Sequence, residues 1–157
     1  MTEDNIIAAF PGLRNDTFFK ITSPDDRCYN CIAWAYSFYK DRWMQFDTTP
    51  KLDGVWYWWP PGVTVDSGVE AYVEAFKTRG FVVCENGDLE EGYIKIALYG
   101  KRSIDGKVEC THAARQRRNG MWTSKLGSKN DIQHGTPYTI EGTCYGKVIC
   151  FMKHIFE

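Results

Sequence analysis

The sequence predicts an α+β fold in a single domain, with N-terminal helices packed on a C-terminal antiparallel β-sheet. Apolar residues at helical spacing occur in the first half of the chain, whereas strand-like runs fill the second half. Asn119-Gly120 separates two of these runs and is the strongest short hairpin signal in the chain. A length of 157 residues, without internal repeats or a linker, fits one domain over residues 1–157.

The predicted helices are bounded by recognisable capping and stop residues. Thr2 can cap a short helix that Pro11-Gly12 ends, and Gly80 can end a helix over 67–78. Another helix is predicted to begin near Asn30, because an apolar stripe at helical spacing follows it. That stripe consists of Cys31, Trp34, Ala35, Phe38 and Tyr39.

The strand predictions are one early strand and five later ones. The early strand covers 18–22, and the later strands cover 81–84, 93–99, 109–116, 121–125 and 147–155. Between the helices, residues 47–63 hold Trp56, Tyr57, Trp58 and Trp59 without a regular period. We predict an ordered aromatic loop there, which either packs on the core or lines a cleft.

The charge distribution limits the classes of function. The formal net charge is -1, so the chain as a whole does not carry the basic footprint of a nucleic-acid-binding protein. Residues 1–100 have 9 Lys/Arg against 15 Asp/Glu, and the remainder has 10 against 5. This unevenness predicts two lobes that attract each other, or a basic rim around a substrate groove.

Location and redox state are predicted from what the sequence lacks. No segment approaches the roughly 20 apolar residues that a membrane span needs, so no membrane association is expected. The acidic N-terminus lacks the layout of a signal peptide, which favours a cytoplasmic protein with six free thiols. Export as a bacterial effector through a specialised secretion machine would leave no such mark.

Cys31 and His112 are the candidate catalytic pair. Cys31 lies in the first turn of its predicted helix, where the helix dipole favours a thiolate. His112 lies on a predicted strand about 80 residues later, and the small Ala113 and Ala114 would let another element approach it. A nucleophile and a base in this arrangement are what thiol chemistry requires.

The motifs around these two residues resemble known proteins. Residues 30–35 (NCIAWA) resemble the nucleophile helix of papain-like thiol peptidases, and 112–124 resemble the second half of the site in cell-wall peptidases of the NlpC and CHAP types. The chain is also similar to a bacterial family of no assigned activity with a YNCIAWA…THAARQ…WTSKLG…DIxH pattern. The resemblance implies a papain-like fold and a hydrolase of the thiol protease class.

The third catalytic residue is left open between two candidates. Spacing favours Ser124, which occupies the return strand of the hairpin, whereas chemistry favours Asp131, since a carboxylate stabilises an imidazolium better than a hydroxyl does. For the oxyanion, the default donor is the backbone N–H of Cys31, with the Asn30 or Asn15 side chain as further candidates.

The expected function is a hydrolase or acyl transferase that acts on an amide-type bond of a peptide or protein substrate. Trp56, Trp58, Trp59 and Asn30 are the candidate substrate-binding residues. No cofactor is expected. Two alternatives remain: a non-catalytic binding module with the same fold, and a structural zinc site built from Cys28, Cys31, Cys110 and His112, whose last two members would share a strand face.

Overall fold

Residues 2–23, 62–64, 66, 68–126 and 130–155 are described by the computed structural model. Within these ranges there are two α-helices, α1 (Glu3–Ala9) and α2 (Val69–Lys77), and two short 3-10 helices, Pro11–Asn15 and Pro137–Ile140. The strands are β1 (Lys20–Ser23), β2 (Val82–Cys84), β3 (Tyr93–Arg102), β4 (Val108–Gln116), β5 (Trp122–Lys125), β6 (Asp131–His134) and β7 (Lys147–Ile155).

The strands form one sheet in the order β1-β6-β5-β4-β3-β7-β2. Every pair in it is antiparallel. A mostly antiparallel sheet with two short helices fits the predicted α+β class. The helix expected to begin near Asn30 and most of the aromatic loop over 47–63 lie outside the described residues.

Helix α1 confirms the N-terminal prediction. The Thr2 hydroxyl accepts a hydrogen bond from the Asn5 backbone N–H at 3.2 Å, which is the expected capping contact. Pro11 then opens a 3-10 helix, where a missing N–H has no cost because the first N–H groups have no partner inside the helix.

Helix α2 also forms close to its predicted bounds. Its buried face consists of Val69, Tyr72, Ala75 and Phe76. Gly80 follows with φ +90°, a left-handed conformation that glycine adopts without strain, and this ends the helical stretch as predicted.

The two faces of the sheet bury different clusters. On one face, α2 packs against alternate residues of the central strands, among them Ile96, Leu98 and Met152. On the other face, α1 and the 3-10 helices pack against the intervening residues, among them Ala97, Tyr99 and Ala114. Because strand side chains alternate between faces, each central strand contributes to both clusters.

The β4–β5 hairpin forms at the predicted Asn119-Gly120. Gly120 has φ +86°, and the Arg117 N–H donates to the Met121 carbonyl at 2.7 Å across the turn. The Asn119 side-chain oxygen accepts from the Met121 N–H at 3.0 Å. The turn therefore sets the register of β5 against β4.

A bulge in β4 corrects one expectation about side-chain direction. Tyr99 of β3 pairs with His112, but the next residue, Gly100, pairs with Cys110, so Thr111 is an extra residue in the ladder. An inserted residue reverses the alternation of faces. Cys110 therefore packs in the α2 cluster, whereas His112 contacts Tyr99 on the opposite face. The expectation that residues 110 and 112 share a face is wrong.

Strand β6 lies outside all of the predicted strand ranges. It pairs with β5 on one side and with β1 on the other, so it connects the N-terminal strand to the rest of the sheet. In the part of the chain that the structure describes, no helix is long and apolar enough to cross a membrane.

Candidate active site around His112

His112 is fully buried on the face of the sheet that α1 covers. Its ring stacks on Tyr145, with centroids 4.0 Å apart and planes 5° apart, and lies 5.3 Å from the ring of Tyr99. The Thr111 hydroxyl donates a hydrogen bond to the Tyr145 carbonyl, which ties the stacking residue to the bulge of β4. The imidazole thus lies against two aromatic rings, one stacked on it and one tilted.

A chain of hydrogen bonds runs through the site. His112 Nε2 lies 3.0 Å from Ser124 Oγ, and Ser124 Oγ lies 2.8 Å from His134 Nε2. At the far end, His134 Nδ1 lies 2.7 Å from the Thr136 carbonyl oxygen. We call these four residues, His112, Ser124, His134 and Thr136, the histidine relay.

Strand pairing brings the members of the relay together. Ser124 pairs with Ile132, and His134 pairs with Trp122, so Ser124 and His134 project from the same face of adjacent strands. His112 projects from that face one strand farther along, on β4. The two hydrogen bonds therefore run diagonally across the neighbouring strands β4, β5 and β6. The side chains of His112, Ser124 and His134 are all fully buried.

The carboxylate of Asp16 holds the end of the relay in place. One of its oxygens accepts from the Gly135 N–H and from the Thr139 hydroxyl, both at 2.8 Å, and the other accepts from the Phe18 N–H at 2.9 Å. These bonds connect the segment after α1 to the turn that carries Thr136. The turn must keep its shape for the Thr136 carbonyl to face His134.

Burial keeps both imidazoles neutral at ordinary pH. Desolvation lowers the pKa of His134 to about 4, against opposing effects of the Thr136 carbonyl and Asp16. Desolvation, with a smaller contribution from His134, lowers the pKa of His112 well below its ordinary value of 6.5. The second nitrogen of His112, Nδ1, is buried and has no hydrogen-bond partner among the described residues.

The two candidates for the third residue occupy different positions. Ser124 forms the hydrogen bond to His112 Nε2 described above. Asp131 pairs with Lys125 across the β5–β6 ladder, and its Oδ1 lies 3.7 Å from Lys125 Nζ in a buried ion pair. Ser124 and Lys125 are consecutive strand residues and so project from opposite faces.

Of the remaining predicted site residues, five lie outside the described residues: Cys31, Asn30, Trp56, Trp58 and Trp59. Asn15, a candidate oxyanion donor, ends the first 3-10 helix and is exposed.

Sequence reasoning missed His134 and Tyr145. A signal for His134 existed, since the alternation in residues 131–134 places Ile132 and His134 on one face if the segment is a strand. Tyr145 had no such signal, because it reaches His112 from a turn between Gly142 and Gly146.

The zinc alternative loses part of its geometric basis. Cys110 and His112 project from opposite faces because of the β4 bulge, which does not suit ligands of one tetrahedral ion. The described residues contain no group of three or more His, Cys, Asp or Glu side chains that could hold a metal ion.

A groove lies beside the Thr136 end of the relay. Its volume is about 310 Å³, and its lining includes Trp122, Leu89, Tyr138, Gln116 and Thr136. Gln116 is almost fully buried; its Nε2 donates to the Gly87 carbonyl at 2.9 Å, and its Oε1 has no partner in the described part of the chain. The groove thus combines aromatic walls with a buried acceptor.

Comparison with known proteins identifies the family. A family model described as a domain of unknown function (DUF7689) matches residues 20–153. The chain therefore belongs to this family. No curated protein and no solved structure matches the chain.

Proposed function

We propose that this member of the DUF7689 family is a thiol hydrolase or acyl transferase in which Cys31 is the nucleophile and His112 the base. The observation that carries the proposal is the difference in hydrogen bonding between the two ring nitrogens of His112. Nε2 is bonded to Ser124, whereas Nδ1 is buried without a partner among the described residues. A buried nitrogen without a partner is costly, and such groups cluster where chemistry occurs.

The proposed reaction assigns each proton and bond. Cys31 Sγ attacks the carbonyl carbon of an amide, and its proton passes to His112 Nδ1 as the S–C bond forms. The C–N bond then breaks, and the proton on Nδ1 passes to the leaving amine. Water, or an acceptor amine in a transferase, attacks the thioester while His112 takes its proton. The C–S bond breaks, and that proton returns to Cys31.

The papain-like character of the site belongs to the same proposal. The NCIAWA segment at 30–35 and the His-led strand supply the order of residues, and Ser124 takes the place of the orienting residue. Burial lowers the pKa of His112, while a thiolate facing Nδ1 would act in the opposite direction by stabilising the imidazolium. Reactivity of Cys31 at low pH therefore depends on contact between the two groups.

The test is the pH dependence of alkylation. Iodoacetamide should label Cys31 near pH 6, below the ordinary thiol pKa of about 8.5. Peptide mass spectrometry separates Cys31 from the exposed thiol of Cys144, which serves as a reference in the same sample. His112→Gln should move the labelling of Cys31 to higher pH. His154→Gln, a substitution on β7, is the matched control and should leave the pH dependence of labelling unchanged.

Three results would contradict the proposal. Labelling of Cys31 only above about pH 8, the unperturbed range, would show a thiol without activation. An identical pH profile in wild type and His112→Gln would show that the ring does not act on the thiol. Stoichiometric zinc in the purified protein would favour the structural metal site instead.

A second candidate function is a non-catalytic binding module, and the groove beside Thr136 favours it. A groove with aromatic walls and a few polar groups is typical of ligand sites. Unchanged peptide binding in Cys31→Ala, together with no activated thiol in wild type, would favour this alternative.

A further inference from the structure

The direction of every hydrogen bond in the histidine relay follows from one carbonyl group. The Thr136 oxygen can only accept, so His134 Nδ1, at 2.7 Å, must carry a hydrogen. His134 is neutral at pH 7, because burial lowers its pKa to about 4. A neutral imidazole has one N–H, so His134 Nε2 is bare and accepts.

The same reasoning extends to His112. The Ser124 hydroxyl has a single hydrogen, which it donates to the bare His134 Nε2 at 2.8 Å. Ser124 Oγ then offers only lone pairs to His112 Nε2, at 3.0 Å, so this nitrogen is the one that carries the hydrogen. Because His112 is also neutral, its Nδ1 is left bare.

We infer that His134 is a positioning residue that fixes the tautomer of His112 through the Ser124 hydroxyl, leaving Nδ1 of His112 free to accept a proton. This deepens the proposed function and rests on it, since a bare Nδ1 is useful only if a thiol delivers a proton there. No proton travels along the relay. The bonds from Ser124 to His134 and from His112 to Ser124 remain in place when Nδ1 becomes protonated.

The relay also explains how a hydroxyl can serve where a carboxylate is usual. A hydroxyl that donates one hydrogen bond becomes a better acceptor for a second, so the bond to His134 strengthens the one from His112. If His134 lacked an acceptor, the Ser124 hydroxyl would be free to turn and donate to His112 Nε2. His112 would then carry its hydrogen on Nδ1 and could not accept the thiol proton there.

The experiment is a measurement of the His112 tautomer by nitrogen NMR on ¹⁵N-histidine-labelled full-length Cys31→Ala protein at pH 7, in which no thiol can pass a proton to Nδ1. The two ring nitrogens give distinct shifts when bare and when protonated. We expect a bare Nδ1 and a protonated Nε2 in Cys31→Ala. When His134→Phe, which removes the acceptor but keeps a ring, is added to Cys31→Ala, we expect the hydrogen to shift toward Nδ1. His134→Gln in the same background, whose amide oxygen can still accept from Ser124, should restore the hydrogen to Nε2.

Alkylation of Cys31 gives the second readout. His134→Phe should slow the reaction with iodoacetamide near pH 6 by about tenfold, roughly the effect of one lost hydrogen bond. His134→Gln should recover much of that rate, and His154→Gln should leave it unchanged. A merely structural role for His134 would alter stability without moving the tautomer.

The outcomes separate this inference from the proposed function. A protonated Nδ1 in Cys31→Ala would overturn the inference without any substitution of His134, so it remains testable even if His134→Phe does not fold. An unchanged tautomer in folded His134→Phe would overturn it as well. An unactivated Cys31 together with the expected tautomers would instead refute the proposed function while leaving the hydrogen-bond directions intact.

Discussion

Acidification should destabilise the fold in a pH range set by the two buried histidines. In the unfolded chain a histidine binds a proton near its ordinary pKa of 6.5, whereas in the folded protein the pKa of His134 is about 4. Between these values the unfolded state holds more protons, so the free energy of unfolding falls as the pH falls. The stability is fully present above about pH 6.5 and is lost progressively toward pH 4.

The magnitude follows from the size of the pKa change. A fall from 6.5 to about 4, at about 1.4 kcal/mol per pKa unit, is worth roughly 3 kcal/mol for His134 alone. His112 adds to this in the same direction, since its pKa is also lowered. A loss of this size is a large fraction of the 5–15 kcal/mol, roughly, that holds small domains folded.

Urea unfolding at a series of pH values from 7 to 5.5 measures this effect. Ordinary carboxyl groups titrate near pH 4, below that range, so the slope of unfolding free energy against pH reports mainly the histidines. His134→Gln removes one of the two titrating groups and should reduce the slope by about half.

A flat stability profile between pH 7 and 5.5 would refute the reasoning. It would mean that the two imidazoles titrate normally in the folded protein and are thus solvated or paired with charge. An unchanged slope in His134→Gln would show that the pH dependence comes from other groups. Both results concern slopes, so a uniform change in stability caused by the substitution does not affect them.

Three substitutions test the supports of the site by urea unfolding. Asp16→Ala removes the acceptor of three hydrogen bonds and should cost about 1–3 kcal/mol, and a neutral result would mean that water replaces the carboxylate. Gly146→Ala would place a Cβ 2.2 Å from the Gly100 oxygen, at a residue with φ +75°. It should lower the free energy of unfolding more than Gly92→Ala does, because Gly92 has a similar φ of +84° but open space around it. Equal losses would show that the close approach to Gly100 is not the cause. Tyr145→Leu should lose about 0.5–1.5 kcal/mol from the stacking on His112, and no loss would indicate that the ring contact contributes nothing.

The elements that the sequence predicts well are those with local signals. The Thr2 cap, the apolar face of α2 and the turn at Gly120 each depend on residues within a few positions of one another. Their backbone preferences and capping contacts do not require the rest of the fold. The prediction of an antiparallel sheet follows from the same short-range patterns.

The elements that the sequence does not predict depend on pairing between distant segments. Strand β6 has four residues, and it is stabilised by β5 on one side and β1 on the other. The β4 bulge leaves no composition signal, although Gly100 opposite it is crowded by side chains of β4 and β7. One extra residue at Thr111 was enough to reverse the expected direction of Cys110 relative to His112.

In the candidate site, too, local signals predict some of the residues, and pairing between distant strands determines the others. Spacing from the hairpin favoured Ser124, and the hairpin register does place its hydroxyl on His112. General preference for a carboxylate favoured Asp131, but the direct pairing of Asp131 with Lys125 gives that carboxylate a cation on the neighbouring strand. His134 could not be linked to His112 without β6, because only strand pairing brings residues 112 and 134 to the same hydroxyl.

A buried polar network is retained in a core only if its members are satisfied or if an unsatisfied member has a use. In the histidine relay, the Thr136 carbonyl bonds to Nδ1 of His134, and the Ser124 hydroxyl bonds to Nε2 of both histidines. His112 Nδ1, by contrast, has no partner among the described residues. If the relay serves the fold, replacing His112, Ser124 and His134 together by apolar residues of similar volume should lower the free energy of unfolding. If the triple replacement instead leaves the stability unchanged or raises it, because it removes the buried unsatisfied nitrogen, and abolishes alkylation of Cys31 near pH 6, the relay is maintained for its chemistry.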